Sequence, residues 1–160
     1  MKQLWAPWRM KYLVADKEEG CIFCNRIAES CDQENYILYR GERGFLILNL
    51  YPYNSGHMMA VPYAHVPSLE DLDAETLTEL MLLVNKGLAA LRQAMSPQGF
   101  NIGVNIGEVA GAGIVGHVHI HIVPRWGGDT NFMPVLAETR VIPELLDETY
   151  ERLRSIFSTT

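Results

Sequence analysis

Between residues 36 and 61 short apolar runs alternate with turn-forming residues, as in strands joined by tight connections. Strands are expected over 36–40, 45–49 and 57–61, with a hairpin turn at 41–44 and Pro62 closing the third. Residues 51–56, carrying Pro52, Asn54 and Gly56, read as a loop. The pattern then changes. Asp73 caps a helix over 74–95, in which Leu77, Leu80, Met81, Val84, Leu88 and Leu91 form the apolar stripe. Glu75, Glu79, Lys86 and Arg92 fall mostly off that stripe, so it reads as a core face. Pro97 and Gly99 break the chain, and a fourth strand follows at 100–105. The fifth contains His117-Val118-His119-Ile120-His121-Ile122-Val123-Pro124-Arg125. A polar, glycine-bearing connection covers 126–139, and Pro143 suits the first turn of a closing helix that runs to about 157. Ahead of all this lies an aromatic and basic arm, residues 1–20, with Leu4, Trp5, Pro7, Trp8, Arg9 and Tyr12. Cys21 and Cys24 follow it, leading into a short helical stretch over 25–29. Hairpin strands, one long helix and further strands make an α+β domain, with a five-stranded, mainly antiparallel sheet and a C-terminal helix.

In the fifth strand the alternation places His117, His119 and His121 on one face and Val118, Ile120 and Ile122 on the other, toward a core. Neighbouring histidines stand roughly 6–7 Å apart and the outer two roughly 13 Å apart, too far for one metal to hold all three. The row reads as the floor of an elongated site. A metal-binding pair with a spare, or core histidines that alternate, are the blander readings. Imidazole serves as a nucleophile when neutral, with one nitrogen free and the other held. Just upstream, Ala110-Gly111-Ala112-Gly113 allows backbone N–H groups to approach an anion, although an ordinary hairpin connection accounts for it equally well.

Composition narrows the classes. At 160 residues the chain is expected to be one domain. A net charge of −6 argues against a nucleic-acid partner. No apolar run is long enough to cross a membrane, and residues 1–8 lack the apolar core of a signal peptide, so a cytoplasmic location is expected. Three cysteines do not make a disulfide framework; Cys21-x-x-Cys24 is half of a zinc site, or else a buried helix start. Cys31 has no partner in this scheme.

His117 to Val123 resembles the defining motif of the histidine triad family of nucleotide hydrolases and transferases. The likeness extends to Leu4-Trp5-Ala6-Pro7-Trp8-Arg9, the Cys21–Cys24 pair, Asn49, Gly56-His57, the stretch 101–105, and Pro124-Arg125-Trp126-Gly127-Gly128-Asp129 with Asn131-Phe132. These are similar to the bacterial branch that includes diadenosine tetraphosphate phosphorylases. The resemblance implies a HIT-like fold and a nucleotidyl transferase or hydrolase acting on dinucleoside polyphosphates. It makes His119 the nucleophile at the α-phosphorus and gives His121 a phosphate-binding or proton-handling role. Asn49 would meet the ribose, Asn105 the bridging oxygen, and Gly111, Ala112 and Gly113 the phosphates; His57 would support the site. It implies a structural zinc on Cys21, Cys24, His65 and His117, no organic cofactor, an adenine nucleotide substrate, inorganic phosphate as acceptor, and a homodimer. Arg125 is open between a phosphate contact and an ion pair, and Trp126 reads as packing. Plain hydrolysis, a nucleotide-binding module with incidental turnover, and a zinc scaffold with structural histidines are the alternatives.

Overall fold

The computed structural model describes residues 19–130 and 142–158. The aromatic arm expected at the N-terminus, apart from its last two residues, and residues 131–141, which include the later part of the expected connection, lie outside those residues. The described elements are α1 (Ile22–Ala28), β1 (Ile37–Arg40), β2 (Gly44–Leu48), β3 (Met58–Pro62), α2 (Ala74–Met95), β4 (Gly99–Val104), β5 (Ile120–Arg125) and α3 (Leu146–Ser158). The five strands form one antiparallel sheet in the order β1-β2-β3-β5-β4.

Strand alternation divides the interior into two clusters. Leu38, Leu46, Leu48, Met58, Ala60, Ile120 and Ile122 meet α2 and α3. Ile37, Phe45, Ile47, Met59 and Val61 meet Phe23 of α1 on the opposite face. The second face carries the chemistry, and α1 lies against it.

The long helix spans the expected residues. The Asp73 carboxylate accepts the Thr76 N–H at 2.7 Å, and Ser96 ends the helix in the left-handed conformation. Its buried face is rotated from the expected stripe: Leu83, Gly87 and Ala90 are buried with Leu80, Val84 and Leu91, whereas Met81 is 52% exposed. Gly87 explains the seating. A side chain there would come within 2.9 Å of the Met58 sulfur and 3.2 Å of Ile122, so glycine lets α2 settle directly on β3 and β5. The first helix begins earlier than expected, at Ile22. Cys21 therefore holds the N-cap position and Cys24 follows within the first turn, on the same side. The closing helix begins at Leu146, three residues after Pro143. Thr149 N–H bonds the Leu145 carbonyl, and Glu144 takes the Thr149 hydroxyl and pairs with Arg152.

The histidine stretch is not all strand. The ladder with β3 covers Met58↔Ile122, Met59↔His121 and Ala60↔Ile120, and β5 starts at Ile120. Continuing that register would set Val118 against Pro62, which has no N–H to offer. Val118 N–H instead bonds the Val66 carbonyl at 2.8 Å. Val118 still enters the helix-side core and His117 still touches Phe23, so the two-faced alternation survives without the ladder.

Candidate functional site

The first and second histidines are held in opposite tautomers. His117 Nε2 lies 2.8 Å from the Pro62 carbonyl, which only accepts, so Nε2 carries the proton and Nδ1 a lone pair. His119 Nδ1 lies 2.9 Å from the His117 carbonyl, so here Nδ1 carries the proton and Nε2 is free. Burial lowers the pKa of both rings, although each carbonyl bond favours the charged form.

His117 Nδ1 faces the donor cluster. It is 3.4 Å from Cys21 Sγ, 3.7 Å from Cys24 Sγ and 3.2 Å from His65 Nδ1, and Cys24 Sγ is 3.4 Å from His65 Nδ1. All four ligand atoms lie within 4.8 Å of one another. A tetrahedral zinc, with Zn–S near 2.3 Å and Zn–N near 2.0–2.1 Å, sets its ligands roughly 3.3–3.8 Å apart. Donor type, count and spacing therefore fit that metal, and the Pro62 carbonyl holds His117 as outer partners hold ligating histidines. The cluster's four expected ligands are brought together, while exposed Cys31 stands apart from it.

The other end is arranged differently. Tyr53 N–H donates to His57 Nδ1 at 3.0 Å, which puts the His57 proton on Nε2. That nitrogen lies 3.0 Å from His121 Nδ1 and donates to it, so neutral His121 carries its own proton on Nε2. His57 is fully buried. Burial, with the charges His121 and His119 would carry, pushes it down to about 3; burial and His119 take His121 down to about 4. Both rings are neutral donors at neutral pH. The Asn49 amide nitrogen stands 3.5 Å from His57 Nε2, too long for a firm bond, and its oxygen accepts the Tyr51 N–H at 2.9 Å.

The row is not uniformly open. His119 is only 4% exposed, with the Phe23 ring centroid 5.2 Å from its own and that of His121 at 4.7 Å. Of the three triad histidines, only His121 lines the groove on this face, beside Tyr53, Asn105 and Arg125. The elongated floor expected from the sequence is thus half roofed, because α1 brings Phe23 over its first two rings. Gly111 adopts φ +87°, as a turn glycine must, yet its N–H is spent on the Glu108 carbonyl at 2.9 Å. Ala112 N–H reaches the Gly107 carbonyl at a long 3.4 Å, and Gly113 N–H has no partner among the described residues. Of the three loop residues expected to meet phosphate, Gly113 is thus the one whose N–H is unspent among the described residues.

Arg125 is an ion-pair residue. Its Nε and one terminal nitrogen grip the Asp129 carboxylate at 2.6 and 2.9 Å. Asp129 also accepts from Asn54 and the Trp126 N–H, and the Arg125 pairing holds its carboxyl well below the usual range. Trp126 is half-buried, its indole N–H on the Met95 carbonyl at 3.3 Å. Phe23, Tyr53 and Asn101 escaped the sequence reading. The signal for Asn101 was present: Asn101, Gly103 and Asn105 alternate with Ile102 and Val104, as the histidines do in the neighbouring strand.

The HIT domain family model matches residues 31–128. An AP-4-A phosphorylase from Mycobacterium tuberculosis is 40% identical over 157 residues, covering 93% of this chain and 80% of the relative. An asymmetrical bis(5'-nucleosyl)-tetraphosphatase from Schizosaccharomyces pombe is 32% identical, over 77% of this chain and 64% of its own length. Among solved structures, a zinc-bound histidine triad family protein from Mycobacterium smegmatis superposes with a TM-score of 0.70 at 28% identity, covering 88% of this chain and 94% of the other. The opposed histidines, the fold and this similarity over most of the chain agree: the chain belongs to the HIT family, in its bacterial AP-4-A phosphorylase-like branch.

Proposed function

We propose that the protein cleaves dinucleoside polyphosphates by nucleotidyl transfer through His119, with inorganic phosphate as the favoured acceptor. The observation that carries this reading is the His119 tautomer: Nδ1–H held on a carbonyl and Nε2 left with its lone pair. Nε2 attacks the α-phosphorus, a P–N bond forms, and the bond to the bridging oxygen breaks with its electron pair leaving on the departing nucleotide. That polyphosphate is a stable anion near neutral pH, so it needs stabilisation and not a full proton. His121 Nε2–H supplies a hydrogen bond there, oriented by His57 and, behind it, the Tyr53 N–H. Asn105, on the groove wall, would donate to the same oxygen, and the Gly113 N–H, with that of Ala112 once released from its long bond to Gly107, would serve the phosphate oxygens. Asn49, beside His57, suits the ribose. In the second step an oxygen of phosphate attacks phosphorus and the P–N electrons return to Nε2. The AP-4-A phosphorylase relative supports adenine as the base.

Cys21, Cys24, His65 and His117 would hold a zinc ion as a structural tie between α1 and the histidine stretch, keeping Phe23 over His119. The expected homodimer is read from the mass of the native protein in solution, two chains against one.

The deciding experiment is incubation with diadenosine tetraphosphate, with and without phosphate. ADP plus ATP appearing only with phosphate supports phosphorolysis. AMP plus ATP in water alone means hydrolysis through the same first step. Tight nucleotide binding with no turnover would reduce the protein to a binding module.

A further inference from the structure

The groove extends well past the triad. Its volume is about 440 Å³, within the size range of small-ligand sites. His121 stands at one end and Arg125 at the other, four residues along β5 and so roughly 13 Å apart. A single phosphate does not need that length.

The floor is bare at its centre. Gly103 lies directly across from His121 in the β4–β5 register and lines the groove. A side chain added there meets nothing within 4 Å, and the backbone is outside the left-handed region, so neither packing nor conformation demands glycine. What glycine provides is clearance above the sheet.

The far wall is an array of donors, two of them held in place. With Nε and one terminal nitrogen on Asp129, Arg125 sends its other terminal nitrogen to the Asn101 side-chain oxygen at 2.6 Å. One hydrogen remains on each terminal nitrogen. The Asn101 oxygen is thus occupied and its NH₂ remains to donate, while the Asn105 side chain has no hydrogen-bond partner among the described residues. Asp129, anchored by Asn54 and the Trp126 N–H, is not part of the lining; no carboxylate is, among the described residues. The guanidinium and the Asn101 amide, already held, suit phosphate oxygens at little further ordering cost on binding, and the Asn105 amide is left open to donate beside them.

We infer that this groove seats the departing half of the substrate: the polyphosphate beyond the α-phosphorus lies over Gly103, with Asn105, Asn101 and Arg125 as its donors. The β4–β5 floor thereby selects dinucleoside polyphosphates over nucleotides with small leaving groups. This rests on His119 as the nucleophile.

The test compares kcat/KM for diadenosine tetraphosphate with kcat/KM for adenosine 5'-phosphoramidate, whose leaving group is a single amine. Gly103→Val is expected to lower the ratio of long to short substrate at least ten-fold, and Asn101→Ala about five-fold in the same direction. Circular dichroism and thermal melts check that each variant folds, and Asn101→Ala carries the test should the valine disturb the strand. A ratio within two-fold of wild type in the folded variants overturns the inference while leaving the first step intact. If wild type turns over neither substrate, the reading of His119 falls instead, and the groove is judged by ATP binding in titration calorimetry. At least five-fold weaker binding in the folded variants keeps it; equal affinity overturns it.

Discussion

Two ends of one short stretch use the same side chain for opposite purposes. At His117 the proton sits on Nε2, and the lone pair on Nδ1 turns inward to two thiols and a second imidazole. At His121 the lone pair is consumed by His57, and the proton faces the groove. His119 stands between them, with a free nitrogen and a ring almost covered. Residue identity does not assign these roles. The second nitrogen of each ring does, through the partner it meets: the Pro62 carbonyl at the end of β3 for His117, the His117 carbonyl for His119, and His57 just before β3 for His121.

The largest test of this division is at its centre. His119→Ala is expected to lower turnover of diadenosine tetraphosphate at least about 1,000-fold, roughly 4 kcal/mol of barrier, with circular dichroism unchanged. Activity within a few-fold of wild type ends the covalent reading. At the metal end, elemental analysis is expected to find one zinc per chain, lost in Cys24→Ser. The melting temperature should then fall by about 10 °C, on the scale of a few kcal/mol in a domain of this size. A zinc-free preparation as stable as wild type breaks the contrast from that side.

Acid probes the groove end. His57 and His121 are neutral when folded, with pKa values of about 3 and about 4, whereas an unfolded histidine takes a proton near pH 6.5. Below that value the unfolded chain binds more protons, so these rings' stability contribution is complete above pH 6.5 and is lost as pH falls toward their folded values. Denaturant titrations are expected to show about 1.4 kcal/mol per pH unit less slope in His121→Gln than in wild type between roughly pH 6 and 4.5. Identical slopes would mean that the ring is not held neutral. The smallest effect belongs to the third cysteine. Cys31 is exposed and outside the donor cluster, so Cys31→Ser should leave zinc content unchanged and stability within about 0.5 kcal/mol.

Much of this arrangement was legible beforehand because it is periodic. The five strands, the Asp73 cap and the two faces of the histidine stretch follow from residue spacing, and the four metal donors from a family resemblance. The misreadings occurred where long-range contact overrides local pattern. Met81 fits the helical stripe, but the sheet meets a face centred on Gly87, a residue that hydropathy alone does not mark. The ladder stops short of His119 because a proline lies across from Val118, a fact of pairing that neither strand carries by itself. Phe23 roofs His119 only because α1 is drawn onto the sheet. The sequence leaves Arg125 open, and the ion pair with Asp129, four residues on, decides it.

The donor cluster also governs the order of assembly. Cys21 and His117 are separated by 96 positions, and the intervening chain includes three strands of the sheet's first half, the long helix and an edge strand. A growing polypeptide therefore has its two thiols and His65 well before His117 completes the set. Closing so wide a loop is entropically slow, so the complete donor cluster and the β3–β5 pairing beside it arrive late. A metal captured early, by the thiols and His65, would wait on His117 and mark refolding with a slow phase.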